Sequence, residues 1–76
     1  MKKDYDKYVN AKGLKCPQPL LLLKIAINEA NKGEVVLLEA TDSHTDLDIE
    51  VWTQRFNHTI LKVESTKENY RFWIIK

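Results

Sequence analysis

Only two glycines and two prolines interrupt the 76-residue chain, and three of these four, Gly13, Pro17 and Pro19, fall within one short stretch. Proline locks φ and glycine opens left-handed backbone, so a cluster this dense commits the chain to a fixed loop at that place. The flanks then read clearly. Before it, Tyr8-Val9-Asn10-Ala11 has the character of a short strand. After it, Leu20, Leu23, Ile27 and Ala30 recur at spacings of three and four, the period of a helix with one apolar face. Leu21 and Leu22 widen that stripe, as suits a helix lying on a sheet. The spacing predicts a helix that opens at Pro17 and stops at Gly33, a rod of roughly 22 Å.

Glu34 to Ala40 is an apolar run of strand length rich in β-branched residues. A polar loop follows, in which Ser43 or Thr45 is a candidate cap for a second helix. Asp48 falls in the first turn of that helix, where a carboxylate caps and stabilises the N-terminus. Leu47, Val51, Trp52 and Phe56 share one helical face, which reads as the core side, and the helix ends near Asn57. Ile60 to Glu64 alternates partly, a polar turn spans Thr66 to Asn69, and Tyr70 to Ile75 is a strong strand. The order β-α-β-α-β-β argues an α/β chain of the α+β two-layer kind: a four-stranded mixed sheet with both helices on one face. If Tyr70, Phe72 and Ile74 face the helices, Trp73 and Ile75 lie on the uncovered face, a place for a partner or a second copy.

Composition removes several functional classes. Hydrophobic residues are 43% and charged residues 30%, a balance expected of one folded, soluble domain over residues 1–76. Twelve Lys and Arg against eleven Asp and Glu leave a net charge of +1, which offers nothing to a nucleic-acid backbone. No apolar run exceeds four residues, so neither a membrane span nor a signal-peptide core is expected, and the cytoplasm is the default location. One cysteine excludes an intrachain disulfide, and with His44 and His58 it makes no recognisable metal set. So small a body also leaves little room for a large cofactor, and none is expected.

The lone cysteine stands inside the glycine–proline cluster. The pattern places Cys16 as the N-cap of the first helix, with Pro17 at the position where proline is favoured. The positive end of the helix dipole, the Gln18 N–H left free between two prolines, and the charges of Lys15 and Lys12 all favour thiolate there. The expectation is a Cys16 pKa below the ordinary value of about 8.5. Pro17 and Pro19 stiffen the site, and Lys12, Lys15 and Lys24 form a candidate basic patch around it. No second cysteine is present to resolve a disulfide. His44 is the one histidine placed to approach, and as a lone loop histidine it is more simply solvated. An exposed thiol without a base or a pocket suits a group carrier, which accepts an electrophilic group and passes it to a partner that brings the rest of the active site.

The run Asn10-Ala-Lys-Gly-Leu-Lys-Cys-Pro-Gln-Pro19 resembles the signature of the TusA/SirA family of small sulfur-carrier proteins, in which Cys-Pro-x-Pro leads directly into a helix. At the start of the second helix Asp42, Thr45, Asp48 and Ile49 match as well, while Glu50 replaces a proline. The resemblance implies that Cys16 carries a persulfide and that Gly13, Lys15, Pro17, Gln18 and Pro19 shape its surroundings. It implies a donor such as a cysteine desulfurase or a rhodanese-like protein, and an acceptor protein in tRNA thiolation, molybdenum-cofactor maturation or sulfur oxidation. Such a chain is a sulfurtransferase-like carrier and not a stand-alone enzyme. Two alternatives of other classes stay open: a regulatory or interaction module whose cysteine is structural, and, by fold analogy alone, a nucleic-acid-binding domain.

Overall fold

The computed structural model describes residues 4–76. Six elements follow the expected order: β1 (Lys7–Ala11), α1 (Gln18–Glu29), β2 (Val35–Ala40), α2 (Thr45–Arg55), β3 (Thr59–Ser65) and β4 (Tyr70–Ile75). The strands form one mixed sheet in the order β1-β2-β4-β3. β1 runs parallel to β2, with Ala11 opposite Ala40. β4 lies antiparallel to both β2 and β3, filling the gap that the β2-α2-β3 crossover leaves.

Alternation along the strands sets the two faces of the sheet. Val36, Leu38 and Ala40 of β2 and Phe72 and Ile74 of β4 are fully buried and point to the helices, where Leu23, Ala26 and Ile27 of α1 and Ile49 of α2 complete the core. Leu37, Glu39 and Trp73 point the other way. Among the described residues this opposite face carries no helix, yet all three residues are buried. Lys62 Nζ lies 5.0 Å from the centre of the Trp73 ring, and Glu39 is enclosed by polar side chains. Trp73 is therefore not the exposed patch that alternation alone predicts. Ile75 is half-buried.

The helices depart from expectation in extent and in facing. α1 is shorter than the span from Pro17 to Gly33, because the chain turns extended at Ala30 (ψ 155°). In α2 the buried residues are Thr45, Ile49 and Thr53, with Trp52 partly buried against the core. Leu47, Val51 and Phe56 are 64%, 55% and 56% exposed, so the face assigned from apolar spacing is turned outward. Thr53 tolerates the inner side because its hydroxyl donates to the carbonyls of Ile49 (2.9 Å) and Glu50 (3.0 Å) within the helix. In β3 the register slips between Ile60 and Lys62, which face the adjacent residues Ile74 and Trp73; Leu61 is the extra residue of a bulge.

Candidate functional site around Cys16

Cys16 sits in the loop from β1 to α1, and the local sequence explains why that loop holds its shape. Gly13 adopts φ +81°, a left-handed conformation open to glycine, and lets the chain reverse after β1. The Leu14 N–H then donates to the Ala11 carbonyl, and the Gly13 N–H donates to Thr41 Oγ1 at 2.9 Å. Leu14 packs on the core and Pro19 is fully buried, so both ends of the segment are anchored. Lys15, Cys16, Pro17 and Gln18 between them are exposed.

The capping geometry corrects the sequence reading. Pro17 and not Cys16 is the N-cap of α1, because the Pro17 carbonyl accepts the first helical bond, from Leu21 N–H at 3.1 Å. Cys16 lies one residue outside the helix, and the Cys16–Pro17 bond is cis. The Gln18 N–H does not meet the sulfur either; it donates to the Lys15 carbonyl at 2.9 Å. The proposed basic patch is divided: Lys12 reaches Glu39 at 3.7 Å, and Lys24 lines a groove between the helices.

What meets Cys16 is acidic. Its backbone N–H donates to Asp42 Oδ2 at 2.9 Å, and its thiol donates to Asp48 Oδ2. Asp42 is held in turn by His44, whose backbone N–H donates to Asp42 Oδ1 at 2.8 Å and whose Nδ1 lies 3.1 Å from the same oxygen. His44 is exposed, as expected of a loop histidine, and it holds the carboxylate that meets the Cys16 N–H. These contacts keep Asp42 below the usual carboxylate range. Asp48 lies in the first turn of α2 as expected, but makes no capping bond; the N-cap is His44, without a side-chain cap, and Thr45 is turned into the core. The accepted hydrogen bond at Asp48, together with partial desolvation and the charges of Asp48 and Asp42, pushes the Cys16 thiol up to about 11. The expected lowered pKa is therefore reversed: at neutral pH the resting sulfur is a thiol.

Sequence reasoning missed Thr41 and Asp42 as supports of the loop, and Asp48 as the partner of the sulfur. The available signal was the match of Asp42 and Asp48 to the family pattern at the start of the second helix, where the sequence suggests only a capping role for Asp48. Beside the thiol, an open groove of about 460 Å³ runs between α1 and α2, lined by Leu20, Lys24, Leu47, Asp48 and Val51 among others. Asp48 lines this groove and also accepts from the thiol, so one residue links Cys16 to an exposed, mostly apolar surface.

The two-layer sandwich presents one tethered, exposed cysteine ahead of its first helix, and two sequence comparisons identify the group as small sulfur-transfer proteins. The family model described as Sulfurtransferase TusA matches residues 7–76. A candidate sulfur carrier protein, YrkI of Bacillus subtilis (strain 168), is 35% identical over 71 residues, covering 93% of this chain and 95% of that one. The crystal structure of a SirA-like protein from Desulfitobacterium hafniense shares the fold, with a TM-score of 0.79 at 17% identity over 92% of this chain and 96% of that chain. The chain belongs to the TusA family of sulfurtransferases. Among the described residues no helix is long and apolar enough to cross a membrane.

Proposed function

We propose that this protein is a sulfur carrier, one domain whose Cys16 accepts sulfane sulfur as a persulfide and hands it to an acceptor protein. The observation that carries the reading is the exposed position of Cys16 on an anchored loop, hydrogen-bonded to Asp48, which also lines an open groove. A thiol so placed is accessible to the active site of a larger partner, and the apolar surface beside it supports docking. A cysteine desulfurase or a rhodanese-like protein is the donor class that fits, and a cytoplasmic relay such as tRNA thiolation is one destination.

The chemistry follows from the sulfur. Sγ of Cys16 attacks the outer sulfur of a donor persulfide, the donor S–S bond breaks, and the donor thiolate departs with the bonding pair. The acceptor repeats the attack on the new outer sulfur and returns Cys16 to a thiol. Incubation with a cysteine desulfurase and free cysteine is expected to add about 32 Da, one sulfur, to a peptide containing Cys16. Absence of that adduct with every donor class would sink the reading.

The hydrogen bond from Cys16 to Asp48 also favours a second reading, in which the cysteine is structural within an interaction module. Serine preserves that hydrogen bond, so Cys16→Ser folds under both readings. Only the carrier loses all sulfur transfer in this variant, measured with labelled cysteine as the sulfur source.

A further inference from the structure

We infer that Asp48 is a positioning residue for Cys16: its carboxylate, backed by Asp42, latches the empty carrier as a neutral thiol turned toward the start of α2, and releases the sulfur once it is loaded. The inference deepens the carrier reading and rests on it for its purpose, though not for its test.

Two carboxylates from a single corner of the fold reach a residue far earlier in the chain. Asp42, in the β2–α2 loop, takes the Cys16 backbone N–H, and Asp48, in the first turn of α2, takes the thiol proton. Asp42 cannot turn away readily, since its second oxygen is occupied by the backbone N–H and the ring Nδ1 of His44. The charged groups around the sulfur can be named from each element. Asp42 and His44 come from the β2–α2 loop, Asp48 from α2 with Asp46 beside it, Lys15 from the Cys16 loop itself, and Lys24 from α1 along the groove. The two that act on the thiol are both negative. A thiolate formed there would face Asp48 directly and would lose a hydrogen bond as well, so the geometry favours S–H. Because the thiolate is the reactive form, the empty carrier is protected from stray alkylation and oxidation.

Loading removes the latch by its own stoichiometry. As Sγ bonds to the outer sulfur of the donor persulfide, the Sγ–H bond is lost. The donor sulfur leaves with the S–S bonding pair and takes up that proton as a thiol, so no external oxidant or reductant is consumed. Sγ in the persulfide has no proton to offer Asp48. The contact that held the empty thiol therefore has no counterpart in the loaded state, and the carboxylate repels a persulfide anion toward the open side of the groove.

The test is the pH profile of the thiol in the intact protein, followed by ultraviolet thiolate absorbance and by the rate of alkylation with iodoacetamide. The wild type is expected to titrate near 11, and Asp48→Asn to fall toward 9.0, at the top of the usual thiol range. At pH 8 that fall raises the thiolate fraction about 100-fold, and the weaker nucleophilicity of the more acidic thiolate trims the rate gain to about tenfold. Asp46→Asn, a neighbouring carboxylate without contact to the sulfur, is expected to leave the profile unchanged. Asp48→Glu keeps the charge and is expected to hold the midpoint above 9.0. An Asp48→Asn midpoint equal to that of the wild type, or an equal fall in Asp46→Asn, overturns the inference. Neither measurement involves a sulfur donor. Failure of persulfide loading would therefore strike the carrier reading alone, and an unmoved titration would strike the latch alone.

Discussion

Glu39 shows what one residue contributes to the uncovered face of the sheet. It is the one buried acidic or basic side chain among the described residues. Its carboxylate accepts from Tyr8 Oη, from Asn69 Nδ2 at 3.1 Å and from Arg71 Nε at 2.9 Å, with Lys12 Nζ at 3.7 Å. The hydrogen bond from Tyr8, followed by those from Asn69 and Arg71, outweighs desolvation and holds its pKa down to about 2. A depressed folded pKa contributes stability that is complete above the unfolded value of 4.5 and is lost as pH falls toward 2. Arg71 and Lys12 are about half exposed and screened by solvent, so Glu39→Gln is expected to cost about 1–2 kcal/mol at pH 7. Urea unfolding at pH 7 and again near pH 3 is the check, and the difference between variant and wild type narrows in acid. At this same scale the sequence pointed to Cys16 but not to the groups that surround it. The helix end and nearby lysines are sequence neighbours, whereas the deciding groups, Asp42 and Asp48, stand 26 and 32 residues away.

Among the elements, α2 separates hydrophobic spacing from burial. Its ends were placed within a few residues by polar loop signals, but the buried stripe was not, because Leu47, Val51 and Phe56 form the more apolar face and yet are turned outward. The inner face carries two threonines around Ile49, a composition that spacing rules rank as polar. The hydroxyl of Thr53, satisfied inside the helix, accounts for one of them. The assignment makes a sharp contrast between neighbours. Ile49→Ala empties a fully buried site and is expected to cost about 2–5 kcal/mol. Val51→Ala, two residues on, is expected to change stability by no more than about 0.5 kcal/mol. Denaturant midpoints of the two variants, measured side by side, decide which face is inside.

For the molecule as a whole, the order of elements could be read from the chain, and the order of strands could not. The β3–β4 hairpin announces itself through the polar turn at Thr66 to Asn69, but the pairing of β2 with β4 joins segments more than thirty residues apart, as in Val36 opposite Ile74. β4 is thereby the strand shared by the two halves of the sheet, and Phe72 at its centre is the largest fully buried side chain. A fold of this size has a total stability of about 4–11 kcal/mol, so losing about 3–5 kcal/mol through Phe72→Ala should leave it near the unfolding threshold. A single cooperative thermal transition, shifted steeply downward, is the expected record. The bulge at Leu61 has a consequence of another kind. β3 is an outer strand with Leu61 and Val63 both about half exposed, a combination that in a regular strand would invite other chains to add on by backbone pairing. The extra residue breaks the even row of N–H and C=O groups, and Lys62 and Glu64 interrupt the apolar positions. The slip in register thereby works against fibril growth along this edge, where an apolar rim would otherwise be at its most exposed.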